Sequence, residues 1–266
     1  MKIDYADGLK KALVFCLHPK RWLPFFIMDV AFFSVALALF ITNMPYFLYF
    51  VAGIQDISMI GPAASIFFSL VGLFIVWLLL GLWVNGAMVH QSNREKEFSK
   101  SWSVSFHKYL SILGVTAISA GIAFLVAIVP YIGWLISIFV GIALFFSLQS
   151  VVVKGNGFIK ALEDAWHIFR RQPFKVFLMW ISISAIALLL LAIFAIPLLA
   201  LVFNMVVEVA GGGTVSTATL MNLIFEIENQ LPVLVVSVII FILGMAISRV
   251  FSLKAQTEFY NQIKKK

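Results

Sequence analysis

Four polar side chains stand inside long apolar runs, and they are the residues of this chain most able to do chemistry. Asp29 lies in the run that begins at Trp22, Asn85 in the run from Pro62, Gln149 in the run from Ile132, and Arg249 in the run from Pro232. An ionisable group in hydrocarbon is costly, so it turns towards protein or water and finds a partner. At ~1.5 Å per residue all four fall roughly 6–10 Å inside the same boundary of their runs. Two readings follow. In one, the four share a polar pocket with Asp29 and Arg249 as an ion pair. In the other, Arg249 snorkels to the headgroups and Asp29 is satisfied locally.

A second group is basic and aromatic. Lys160, Trp166, Arg170 and Arg171 lie on a stretch with helical periodicity, in which Phe158, Leu162, Ala165, Trp166 and Phe169 form an apolar stripe. Glu163, Asp164 and His167 join the basic residues on the other face. A helix of this kind lies in the membrane interface with its aromatics at headgroup level, so these residues are candidates for contact with anionic headgroups. Catalytic signatures are missing. His18, His90, His107 and His167 have no metal-ligand spacing, and no Gly-x-Ser-x-Gly or phosphate loop occurs. Cys16 stands alone, which excludes an internal disulfide and a Cys-x-x-Cys site. No catalytic residue, metal or cofactor is therefore assigned, and the expectation is a protein that is not an enzyme.

The elements that must position these residues follow from composition. Of 266 residues, 62% are hydrophobic and 12% charged, and the mean hydropathy is +1.05. Soluble domains are about half apolar and a quarter charged, so a soluble fold is excluded. Crossing the hydrocarbon takes about 20 mostly apolar residues as a helix. Six runs qualify: 22–41, 62–89, 109–129, 132–153, 174–196 and 232–253. They are continuously apolar rather than alternating, which fits helices and not a barrel. None carries a clear midplane break. The fold class expected is all-α: a polytopic integral membrane protein, a single domain over 1–266, with six transmembrane helices and interfacial amphipathic helices.

Charge sets the orientation. With six spans, all 19 Lys and Arg residues fall on or beside one face, whereas the three opposite loops hold Asp56, Glu208, Glu226 and Glu228 and no basic residue. By the positive-inside rule both termini are cytoplasmic, and the first run is an uncleaved span of a plasma-membrane protein. The net charge of +7 then reflects topology and membrane lipid rather than nucleic acid.

A unit of interfacial helix, span, proline and span recurs over 1–90, 91–153 and 154–266, with poor residue identity between units. Pro45, Pro130 and Pro197 are read as the ends of the odd spans, with Asn43 and Asn204 as terminating residues near outer ends. Ahead of the first span Ala6, Leu9, Leu13 and Leu17 share a face; ahead of the third, Phe98, Trp102 and Phe106 do. The four residues 130–133 force a tight hairpin between spans three and four. Ala117 and Gly121 on one side, and Gly133, Ser137 and Gly141 on the other, suit close approach. Outside, residues 46–60 and 218–227 look like short interfacial segments.

The run Gly157-Phe158-Ile159-Lys160-Ala161-Leu162-Glu163-Asp164-Ala165-Trp166-His167-Ile168-Phe169-Arg170-Arg171-Gln172-Pro173 resembles the stretch between spans four and five of a broad group of six-span prokaryotic membrane proteins of unknown function. That group includes the membrane domain of some glycerophosphodiester phosphodiesterases. Ala12-Leu13-Val14-Phe15 and Pro19-Lys20-Arg21-Trp22 are similar to the amino-terminal part of such proteins. In that group the phosphodiesterase activity belongs to a soluble domain, for which this chain has no room. The resemblance therefore implies an integral membrane module and no catalysis. Two functions are expected from the residues: a non-enzymatic module that organises lipids or a partner membrane protein at the inner leaflet, or a transporter or lipid-handling protein using the Asp29, Asn85, Gln149 and Arg249 level.

Overall fold

The computed structural model describes residues 3–43, 60–211 and 230–264, and among these every regular element is a helix. Three amphipathic helices, α1 (Tyr5–Cys16), α4 (Phe98–His107) and α8 (Phe158–Arg171), alternate with apolar ones. The apolar helices are α2 (Pro19–Thr42), α3 (Ile60–Asn93), α5 (Tyr109–Ala127), α6 (Gly133–Ala143), α9 (Pro173–Gly211) and α10 (Leu231–Lys264). The short α7 (Ser147–Gln149) and a π-helical turn, Ser150–Lys154, continue the line of α6. Six helical stretches are long and apolar enough to cross a membrane, so the chain is an all-α polytopic membrane protein. The 46–59 and 218–227 segments, Pro45, Asp56, Glu226, Glu228 and the Glu208 side chain lie outside the described residues.

Two elements differ from the sequence expectation, the fifth span and the fourth. Pro197 does not end the fifth span; it sits inside α9, which runs on to Gly211 and takes in Asn204. Within a membrane, neighbouring groups and local adjustments compensate the hydrogen bond that an interior proline removes. Asn43 does terminate α2, its side-chain amide donating to Leu39 O at 2.7 Å. The fourth span is broken. After α6, Leu144, Phe145 and Phe146 form a turn closed by Phe145 N to Ile142 O and Ser147 N to Leu144 O. That break lies about 16 Å along the helix from Gly133, near the middle of a ~30 Å hydrocarbon layer.

Burial is concentrated at the end of the bundle that carries α1, α4, α8 and the described Lys and Arg residues, here called the basic end. In α3 no described side chain from Gly61 to Leu80 is buried, whereas most from Gly81 to Ser92 are. In α10 burial likewise concentrates between Ser237 and Tyr260, and is densest from Ile247 on. This half of α10 is the hub, with α10 packing against α9, α1, α2 and α3. Close approach of α9 to α10 depends on Gly244, where a Cβ would collide with Phe194. In the α5–α6 hairpin the intimate contact is at Gly133, where a Cβ would meet the carbonyls of Val126 and Ala127, and at Ser137, which donates to Ala123 O at 2.7 Å. Gly121 and Gly141 have open space instead. Tyr131 takes the left-handed φ of 65° that the hairpin turn demands.

The amphipathic helices turn mainly their small residues fully inward, with Phe15 and Phe169 the large side chains among them. On α1 the buried residues are Gly8, Ala12, Phe15 and Cys16, while Ala6 and Leu17 are exposed. On α4 they are Ser101 and Ser105; Phe106 is 70% exposed. Ser105 Oγ donates to Trp83 O at 2.6 Å, over a Gly86 that leaves no room for a side chain. On α8 Ala161, Ala165 and Phe169 are buried, and Phe158 and Trp166 keep 39% and 47% of their surface exposed. Small and hydroxyl side chains let these helices lie close on the bundle, which leaves their large apolar side chains to the surrounding interface.

Candidate functional site

Asp29 is fully buried on α2, and two other helices close around it. Trp77 on α3 donates its indole N–H to Asp29 Oδ1 at 2.8 Å. Arg249 on α10 brings a guanidinium nitrogen to 3.8 Å from the same oxygen, a charge contact rather than a hydrogen bond. The guanidinium lies over two rings, 5.1 Å from the centroid of Phe25 and 5.6 Å from that of Trp77. Aromatic faces attract cations more strongly when water is excluded. Asp29 Oδ2 has no hydrogen-bond partner. The three helices are thus tied by one charge layer.

Gln149 and Asn85 do not join that layer. Gln149 donates to Gln256 Oε1 at 2.7 Å, seven residues beyond Arg249 and so about 10 Å further along α10. Asn85 Oδ1 is buried without a partner. The structure therefore brings together two of the four polar residues and gives a third a partner of its own.

Two networks nearer the basic end escape a reading by hydropathy, because their members look like ordinary surface charges in sequence. The first centres on Lys254, whose side chain is only 3% exposed. Its ammonium donates to Ser92 O at 2.8 Å and to Glu95 Oε1 at 2.6 Å, and it forms an ion pair with Glu258 Oε1 at 2.7 Å. The second centres on Asp164. It turns inward from α8 to accept from Ser150 Oγ at 2.9 Å and Tyr260 O–H at 2.8 Å, and it pairs with Lys154. Burial pushes the Asp164 carboxyl up, but the hydrogen bonds from Lys154, Tyr260 and Ser150 outweigh it, and the group sits below the usual carboxylate range. Asn156 donates to Ser150 Oγ at 2.9 Å, and Gly155, at φ 78°, ends the π turn that presents Ser150 and Lys154. The only sequence sign was Gly155-Asn156-Gly157, a turn directly before α8.

Lys160, Arg170 and Arg171 are exposed on α8, and Trp166 is 47% exposed beside them with its ring 5.8 Å from that of Phe169. Asp164, placed by periodicity on their face, is the exception just described. A larger feature lies across the bundle. A cleft of about 1370 Å³ opens where α1, the start of α2, Glu95 and the end of α10 meet. Its rim carries Lys10, Lys11, His18, Lys20 and Arg21, and its walls Phe15, Leu23 and Pro24. Its acids are engaged: Asp7 with Lys11 at 2.7 Å, and Glu95 and Glu258 with Lys254. Arg21 is fixed by Gln91 Oε1 at 2.8 Å and Glu95 O at 2.9 Å. Among the described residues the side chains of Lys10, His18 and Lys20 have no hydrogen-bond or ion-pair partner, so the cleft offers two lysine ammonium groups and an imidazole to an anion.

Among the described residues no three His, Cys, Asp or Glu side chains are placed to hold a metal ion. Cys16 is buried, and desolvation pushes its thiol up to about 11, which makes it a poor nucleophile. No family model, curated protein or solved structure matches this chain.

Proposed function

We propose that this chain is a non-enzymatic plasma-membrane module, with both termini cytoplasmic, that organises anionic lipid at the inner leaflet. The observation that carries the reading is the common build of α1, α4 and α8. Each is seated on the bundle by small or hydroxyl residues, and each leaves aromatic or large apolar side chains exposed close to basic ones: Val14 and Leu17 by Lys10 and Lys11, Phe98 by Arg21, Trp166 by Arg170. A helix surface of that composition belongs at the headgroup boundary. Each nearby Lys or Arg adds about 1 kcal/mol towards an anionic leaflet. The buried ionic layers at Asp29, Lys254 and Asp164 serve to fix this end of the bundle, so that the three helices present one continuous interfacial surface. The six-span group that the α8 segment resembles is in keeping with a module of this kind.

The test is the quenching of tryptophan fluorescence by brominated lipid in reconstituted vesicles. Brominated phosphatidylglycerol is expected to quench more strongly than brominated phosphatidylcholine at equal mole fraction. Replacing Lys160, Arg170 and Arg171 together by Gln should reduce that preference several-fold. Equal quenching by both lipids in the wild type would overturn the reading.

A further inference from the structure

The basic cleft continues into the membrane. Pro24, inside α2, lines both the cleft and a second cavity of about 520 Å³ between α2 and α3. This groove is walled by Val35 and Leu73 at its far end and by Val84, Trp83 and Trp102 at the basic end. From Pro24 to Val35, and from Val84 back to Leu73, each helix contributes twelve residues, about 16 Å from first to last. That is about half of a ~30 Å hydrocarbon layer, the depth of one leaflet.

The groove is dry in character. The indole N–H of Trp77 is committed to Asp29 Oδ1 at 2.8 Å, and that of Trp83 to Trp102 O at 3.2 Å. Both tryptophans therefore turn ring carbon to the groove. The Asp29 contact locks the Trp77 ring, and a ring pair at 5.3 Å between Trp83 and Trp102 closes the basic end of the α3 wall. A rigid apolar slot one leaflet deep, opening at its mouth onto unpaired cations, matches a molecule with an anionic head and a hydrocarbon tail.

We propose that cleft and groove together hold one anionic glycerophospholipid of the basic-side leaflet. Its phosphate lies among Lys10, His18 and Lys20, and one acyl chain lies along α2 and α3. This deepens the lipid-organising reading: it rests on that reading, and it replaces general attraction with a site of defined stoichiometry.

The test uses the full chain, reconstituted with equal phosphatidylglycerol and phosphatidylcholine, extracted in mild detergent and weighed by native mass spectrometry. The wild type is expected to retain one phosphatidylglycerol per chain. Lys10→Gln with Lys20→Gln should lower that retention at least tenfold by removing the head contacts. Ala31→Trp, an exposed groove residue, should do the same by filling the slot. Leu189→Trp, on the exposed side of α9, should leave retention unchanged, which separates a blocked site from a general effect of an added indole. Retention that is absent in the wild type, indifferent to the cleft and groove variants, or lost equally in Leu189→Trp would overturn the site. If quenching by brominated lipid still showed anionic preference in that case, the site alone would fail and the broader reading would stand.

Discussion

The two halves of α10 show two ways in which a helix is held in a membrane. From Leu231 to Val236 the described side chains are exposed or half-buried and wholly aliphatic. From Ser248 to Tyr260 most are buried, and Arg249, Lys254, Gln256 and Tyr260 each reach a different neighbour: Asp29, Glu95, Gln149 and Asp164. Lipid tails are as apolar as leucine, so burying an aliphatic side chain against protein gains little over leaving it in lipid. Directional contacts gain more, because the competing solvent at that depth offers few partners. The far half is therefore placed mainly by being apolar, and the basic half by being specifically bonded and closely packed.

The sharpest way to break the contrast is to truncate one aromatic in the basic half of α10 and one at the far end of the bundle, on α9. Phe251→Ala, at a fully buried position, should cost about 3–5 kcal/mol in unfolding by denaturing detergent. Phe203→Ala, 67% exposed on α9, should fall within about 0.5 kcal/mol of the wild type. Equal losses would mean that the far half is packed as tightly as the basic half.

The next effect is electrostatic. Lys254→Met removes the cation from Glu258 and Glu95 and orphans the carbonyl of Ser92. With Glu95 largely solvated, the expected cost is about 1–3 kcal/mol, read from the same unfolding curves. Lys254→Arg should recover only part of it, since a planar fork cannot reproduce a compact ammonium at this site.

Asp164 sharpens the comparison through pH. Its folded pKa lies below the unfolded value, so its stabilising contribution is present above the ordinary carboxylate range. That contribution is lost as pH falls through the lowered folded pKa. Asp164→Asn should lower the melting temperature at neutral pH, and the gap to the wild type should close on acidification. A gap that persists in acid would assign the loss to packing instead. The smallest signal is chemical. With its thiol raised to about 11 and fully buried, Cys16 should resist maleimide at neutral pH until denaturing detergent opens the basic half.

The spans, the three amphipathic helices and the depth match of Asp29 with Arg249 were legible because each depends on hydropathy or charge along the chain. The inward faces of α1, α4 and α8 were not. An interfacial helix meets apolar material on two sides, lipid and protein, and periodicity does not say which side is which. The discriminating sign was size: Gly8, Ala12, Ser101, Ser105, Ala161 and Ala165 mark the protein side. In sequence Trp77 is one more residue of the apolar run 62–89, although its N–H is what Asp29 needs. Lys254 and Asp164 look like ordinary polar-face charges in sequence, because Glu95 and Tyr260, the partners that hold them inward, lie 159 and 96 residues away. The break at 144–146 has no proline and was invisible for that reason.

Pulsed hydrogen exchange along α10, at rising denaturing detergent, tests the division most directly, because one helix carries both regions. Amides of residues 248–260 should stay protected until global unfolding, while those of residues 232–241 open at lower detergent with smaller free energies. Simultaneous loss of protection along the whole helix, or earlier loss at the basic end, would contradict the account.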